Sequence, residues 1–444
     1  MAAVKAIARQ AATLVDRWHW LFLLAAAPFL LFPSPARSPA LLIVPGLWII
    51  AGLAGREPLP RTPLNAALLL LSVMVLVSLY ATFDIAFSLP KIAGVLLGIA
   101  AYFAVVRWLG SRERLWLAIQ LFALAGGGLS MVALLGTDWF YKIPILGGVV
   151  EHLPPVIRGL PGAEEGFQPN AVAGALVLFV PPQFTLLLAS GGEPSERWPL
   201  WLNQQWLKVV QFLLLAFTGG VLLLTQSRGA WLGFGLAMIA LFAWHSRRTR
   251  WLLGLLLVIA LAVVIVIGPQ NVSGLASRQG VSDLGLKAEG RLEVWSRAIY
   301  GIQDFPFTGM GMNTFRRVMP VLYPAFLIPP DFDVAHAHNH LLQAALDLGL
   351  PGLVAYLALW LGTGYMLIAA YRLSDDPRLR NVIEGLGAGL IAHFIFGIGD
   401  AIALGAKVGI VFWIVLGLAA GLFRVAHDQA HPSALVSEIA LGKL

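Results

Sequence analysis

The chain has 444 residues, of which 59% are hydrophobic and only 12% charged, with a formal net charge of +7 and no cysteine. A mean hydropathy of +0.80 and repeated apolar runs near the ~20 residues that cross ~30 Å of hydrocarbon exclude a soluble globular enzyme and predict an all-α polytopic membrane protein. The lack of cysteine excludes disulfides and thiolate metal sites.

In chain order, twelve spans are expected near residues 18–34, 39–54, 64–82, 88–109, 115–136, 170–190, 206–226, 230–245, 251–268, 351–371, 382–400 and 405–424. The first follows basic residues and precedes Pro35-Ala36-Arg37, as a signal peptide would. The second run comes at once, so an uncleaved first span is the reading adopted. Most Lys and Arg then fall on one side, including Lys5, Arg9, Arg107, Arg112, Arg114, Arg247, Arg248, Arg372 and Arg378. Cytoplasmic loops are enriched in these residues, so both termini are expected inside. Tryptophans such as Trp18, Trp20, Trp198, Trp201 and Trp206 fall near span ends, where an aromatic belt accounts for them.

No internal repeat or low-complexity linker divides the chain, so 1–444 is expected to form one integral membrane domain. Two long loops, 137–169 and 269–340, face outward. The second is too long for a passive connection and is expected to carry functional elements. Before it, Thr225-Gln-Ser-Arg-Gly-Ala-Trp231 lies between the seventh and eighth spans, on the same side. Arg228 there either snorkels to lipid head groups or grips a phosphate with its planar fork. Inside the loop, Leu292, Trp295, Ile299 and Ile302 recur at helical spacing after Arg291, and the turn Thr308-Gly-Met-Gly-Met312 follows.

The loop ends in Asp331-Phe-Asp-Val-Ala-His-Ala-His-Asn-His340, three histidines within five residues beside a membrane span. Histidine changes protonation near neutral pH, so this run points to proton transfer or to metal binding. Asn339 is a natural N-cap for a helix that Gly349 and Pro351 would stop. An extended backbone would put His336, His338 and His340 on one face, with Asp331 or Asp333 completing a metal shell. Interfacial or capping roles are the plainer alternative.

Ser227-Arg228-Gly229, then Arg291 with Trp295 and Pro306-Phe-Thr-Gly-Met-Gly311, then His336-Ala-His-Asn-His-Leu-Leu-Gln343 with Gly349-Leu-Pro-Gly352, resemble the O-antigen ligase and polymerase superfamily. The likeness covers roughly residues 220–355, and Phe167-Gln-Pro-Asn170 adds a similar Asn-bearing start to the sixth span. The resemblance implies a C-type glycosyltransferase architecture. It also implies metal-independent, inverting transfer of a glycan from undecaprenyl pyrophosphate, on the periplasmic face of the bacterial inner membrane, to a lipid A core sugar. On this reading Arg228 and Arg291 bind pyrophosphate and His338 is the base. Asn170, His336, Asn339 and His340 are further substrate-binding residues, and no cofactor and no nucleic-acid partner are expected. The chemistry stands on its own terms. Fixed cations lower the barrier where the leaving pyrophosphate gathers charge, and a neutral His338 can take the acceptor proton, an assistance typically worth ~10²–10⁴-fold.

An O-antigen polymerase or a protein O-oligosaccharyltransferase would differ mainly in acceptor. A secondary transporter is the rival from another class, with broken helices around a mid-membrane site. Asp400 and Lys407 flank the last outer turn and are expected to pair with each other. Glu164 and Glu165 read as surface or as contacts for a basic partner, and His393 as a packing residue.

Overall fold

A computed structural model describes residues 2–31, 35–55, 59–139, 144–153, 156–160, 163–189, 204–245, 247–252, 254–255, 288–329, 332–402 and 404–430. Among these, all regular elements are helices, and the strand-like pairings are the isolated bridges Thr137–Phe167 and Leu160–Ala163. The helices are α1 (Ala2–Arg17), α2 (His19–Leu31), α3 (Ile43–Leu53), α4 (Asn65–Ala81), α5 (Ile85–Trp108), α6 (Arg112–Gly136) and α7 (Pro144–Val150). They continue as α8 (Pro169–Leu176), α9 (Val180–Ala189), α10 (Gln204–Leu224), α11 (Arg228–His245), α12 (Ala288–Asp304), α13 (Phe315–Leu322), α14 (His340–Leu373), α15 (Pro377–Gly399) and α16 (Ile410–Ala430).

Seven stretches are long and apolar enough to cross a membrane: α5, α6, α8 with α9, α10, α14, α15, and α16 with the turn before it. This is a polytopic membrane architecture. Shorter apolar helices occupy Leu21–Leu30, Pro39–Leu53 and Asn65–Ala81, where the first three spans are expected. The expected span at 230–245 is α11, of 18 residues, and that at 251–268 lies almost wholly outside the described residues.

Side-chain caps set several helix starts. Asp84 accepts from the Phe87 amide and Ser111 from the Arg114 amide, while Asp376 accepts from Arg378 with Pro377 at the first helical position. The central packing brings α15 against α9 and α11, and α16 against α5 and α14. Small residues allow close approach. A Cβ on Gly233 of α11 would lie 2.4 Å from the Ala392 carbonyl oxygen of α15.

Helix α14 is interrupted at Gly349, with φ 70° and ψ 179°, two residues before Pro351. The interruption leaves backbone groups without partners in the helix, and the turn after α12 supplies them. Leu350 N donates to Pro306 O and Met310 N donates to Leu346 O, both at 2.7 Å. Gly309, also in the left-handed region, packs so closely here that its Cβ would fall 2.6 Å from Gly349 N. Above this joint, residues 288–346 have a core of their own, with Val294, Ala298, Met310, Phe315, Met319 and Leu346 buried together.

Within α12 the helix is where the periodicity predicts it, and the apolar stripe is divided, with Ile302 packed against the buried cluster. Val294 and Ala298 are buried, whereas Leu292 and Ile299 are exposed. Small residues at 290, 294, 298 and 301 form the packed side because α12 lies tight against the start of α14.

Candidate functional site

Asn339 caps α14, its side-chain oxygen accepting from Leu341 N at 2.9 Å and Leu342 N at 3.1 Å. Its amide nitrogen donates to Ile398 O at the end of α15, so one side chain ties the histidine run to both helices. The residue before it, His338, has φ 48°, a conformation that costs an L residue roughly 1–2 kcal/mol. Hydrogen bonds hold the turn in place. His338 N donates to His336 Nδ1 at 3.1 Å, and Ala337 N donates to Gln343 Oε1 at 2.8 Å. Gln343 in turn donates to buried Asp347 at 2.9 Å, which also accepts from Asn313 N. The histidine turn is thereby linked to the joint between α12 and α14.

The turn brings the His336 and His338 rings within 4.3 Å of each other, and both face Asp400, the residue just after α15. Asp400 Oδ1 accepts from Ala401 N at 2.8 Å and from His338 Nδ1 at 3.3 Å, with His336 Nε2 at 3.6 Å. Its Oδ2 accepts from Asn170 Nδ2 of α8 at 2.8 Å. Burial alone would raise the Asp400 pKa, but the His338 hydrogen bond and the two histidine charges outweigh it and bring the value down to about 2. His336 moves in the opposite sense to its attraction for Asp400. Burial, aided by His338, Lys91 and Arg291, lowers its pKa to about 4.

These contacts determine where the ring protons lie. An ionised Asp400 can only accept, so the neutral tautomer that matches this contact places the His338 proton on Nδ1. His336 Nδ1 accepts from a backbone amide, so its proton is on Nε2, facing Asp400. In that tautomer His338 Nε2 is the ring nitrogen left as an acceptor, on a side chain that is 20% exposed. His336, His338 and Asp400 could each offer one ligand atom to a cation, these atoms lying within 4.8 Å of one another.

The three-histidine arrangement is not found. The backbone is not extended at His338, and α14 starts at His340, so this ring turns away into the bundle. Its Nδ1 lies 2.8 Å from Tyr356 Oη, its Nε2 is buried without a hydrogen-bond partner among the described residues, and Trp360 and Phe394 pack edge-on against it. Asp333 is held by Arg316 in a two-pronged ion pair, and Asp331 lies outside the described residues. His393 packs as expected, bonded to Gly174 O at 2.7 Å and stacked on Trp360.

Arg228 is exposed at the first turn of α11. Gly229 beside it lies against Phe396, one turn before Asp400, so Arg228 is at the histidine end of the bundle. Arg291, in the first turn of α12, bears electrostatically on His336, and its Nε is buried with no hydrogen-bond partner among the described residues. Asp400 does not pair with Lys407 as expected. The histidines and Asn170 take the carboxylate, while the acidic influence on Lys407 is Glu164.

The sequence reading placed Asp400 only as a partner of Lys407 and missed its contact with the histidines, and it missed Lys91, whose charge bears on His336 from α5. One signal for Asp400 was available. A carboxylate following the C-terminal end of a helix opposes the helix dipole and needs donors from elsewhere.

Residues 213–357 match the family model described as O-antigen ligase. A search of curated proteins finds no match to the chain.

Proposed function

Since residues 213–357 match the family model described as O-antigen ligase, which supports membership of that superfamily, we propose that the chain is an O-antigen ligase. In this reading it moves a glycan from undecaprenyl pyrophosphate to a lipid A core sugar on the periplasmic face of the bacterial inner membrane. The coarser statement, a membrane glycosyltransferase of the ligase and polymerase type, rests on the family match. The base assignment is supported by a single observation, the contact of His338 Nδ1 with Asp400 Oδ1, while the donor and acceptor are those the resemblance implies.

The proposed steps balance. The acceptor hydroxyl gives its proton to His338 Nε2 as its oxygen attacks the anomeric carbon, and the bond from that carbon to the pyrophosphate oxygen breaks. The electron pair leaves with undecaprenyl pyrophosphate, and back-side attack inverts the sugar centre. Asp400 is a positioning residue that holds the His338 tautomer and steadies the imidazolium formed when the ring takes the proton. Arg228, at a helix N-terminus, and Arg291, with an unpartnered nitrogen, supply fixed positive charge for the leaving group. Asn170 supports Asp400, His336 lies on the same carboxylate, and Asn339 sets the turn. His340, bonded to Tyr356 inside the bundle, contributes as a packing anchor and not as a substrate contact. The chain acts as one integral membrane domain, to which the segment 269–340 brings the base and Arg291.

The test is transfer by purified protein in lipid nanodiscs from a defined undecaprenyl-pyrophosphate glycan, with lipid A core, a second glycan-lipid and a peptide offered separately. Product on lipid A core alone, surviving EDTA, is the expected result. Product on the glycan-lipid would make the protein a polymerase, product on the peptide a protein-directed transferase, and transport without transfer would overturn the reading.

A further inference from the structure

The segment 288–329 follows a run expected to leave the membrane, yet it presents a rigid apolar face outward. Phe326 is 84% exposed, Val321 76%, Phe307 73% and Leu292 61%, with Leu327 and Ile299 exposed beside them. Soluble surfaces rarely keep so many large apolar side chains in water, and contiguous ones mark an interaction surface.

The face is built and does not arise from a loose loop. Glu293 accepts from Phe326 N at 2.7 Å and from Leu327 N at 2.8 Å, which fixes the tip. Arg297 bonds to Glu293 and to Pro324 O, and its guanidinium lies over the rings of Tyr300 and Phe326 at 5.8 and 5.4 Å. An arginine and a tyrosine at the margin of an apolar face are the pairing found at head-group level, where both can keep their polar ends wet.

The face also adjoins α14, a helix long and apolar enough to cross a membrane. Phe307 packs by its backbone on Gly349, at the kink where the long apolar half of α14 begins. From that kink Leu350, Val354 and Leu361 are exposed along one side of α14. Phe307 thus continues that exposed apolar stripe into the segment above it.

We propose that residues 288–329 are seated in the bilayer, with Leu292, Ile299, Phe307, Val321, Phe326 and Leu327 in the boundary between head groups and acyl chains of the leaflet on the histidine side. The partner is the lipid surface itself, and the inference does not depend on the chemistry assigned to His338. An apolar face of this kind reaches ~5–10 Å into that boundary, so the site opens at the level of the lipid head groups.

The chain has no cysteine, so a single one can be labelled without background. Phe326→Cys and Leu327→Cys carry an environment-sensitive fluorophore, with Glu165→Cys, exposed in the segment leading to Asn170, as the aqueous reference. The protein is placed in nanodiscs containing lipids with a nitroxide near the top of the acyl chain. Labels at 326 and 327 should emit to the blue of the label at 165 and be quenched severalfold more strongly. Equal quenching at all three positions overturns the proposal. So does blue emission without lipid quenching combined with energy-transfer depolarisation between labelled copies, which would make the face a contact between two chains.

Discussion

Replacing Asp400 by Asn keeps the shape of the side chain and removes its charge. The carboxylate accepts from the Ala401 amide, His338 and Asn170 together, with His336 close by. An amide can keep the Ala401 and His338 bonds through its oxygen, provided that Asn170 rotates its own amide to accept from the new NH₂. Folding therefore survives, but the charge opposite His338 is lost. When His338 takes the acceptor proton it becomes a cation 3.3 Å from Asp400 Oδ1. At an effective dielectric of ~20 that attraction is about 5 kcal/mol, of which solvent and the remaining dipoles restore part. A loss of ~10²–10⁴-fold in turnover follows, in the range typical of general-base assistance. The assay is single-turnover transfer in nanodiscs with donor binding measured separately, and donor affinity should change little. Turnover of Asp400→Asn within tenfold of wild type, at unchanged protein abundance, would refute the His–Asp reasoning.

Further outcomes follow from the same geometry. Arg228→Lys keeps the charge but loses the two-pronged grip, so donor-dependent turnover should fall far more than protein abundance, and Arg291→Ala should do the same; normal turnover in Arg228→Lys would leave that residue a lipid anchor. Gln343→Leu strips the buried Ala337 amide of its acceptor and Asp347 of a donor, at roughly 1–3 kcal/mol per stranded group, so thermal unfolding should shift clearly downward, and an unchanged transition would count against the pinned turn. His336, with its folded pKa lowered to about 4 from 6.5, binds fewer protons than the unfolded chain between those values. Its contribution to stability is therefore present above about pH 6.5 and is lost as pH falls toward about 4. Asp400 adds a second loss between 3.8 and about 2, and histidine NMR showing His336 protonated at neutral pH would contradict both the burial and the tautomer assignment.

Much of the architecture was legible because hydropathy is a local signal. Runs of apolar residues locate helices, and the capping role of Asn339 can be read from the residues around it. The number of full spans was harder to read, since α2, α3 and α4 are apolar but short, and short apolar helices look alike whether or not they cross. In the site, the turn carrying His338 was visible as a motif. Its conformation was not, because the left-handed backbone at His338 depends on a bond to its neighbour His336 and on Gln343 from the next helix. That one torsion decides that His336 and His338 meet while His340 turns inward. Asp400 stands 62 residues beyond His338, and only the packing of α14 against α15 brings the two together. The stripe on α12 was read as helical, but its surroundings were not legible, since periodicity does not say whether an apolar face meets protein or lipid.

The most direct test of the account is transfer by His338→Ala, measured beside wild type with the same undecaprenyl-pyrophosphate glycan, lipid A core acceptor and nanodisc preparation. The account predicts that transfer is abolished while the donor still binds, because the proposal gives the pyrophosphate contact to Arg228 and Arg291 and the proton to His338 Nε2. Sustained transfer by His338→Ala at a rate near that of wild type would contradict it.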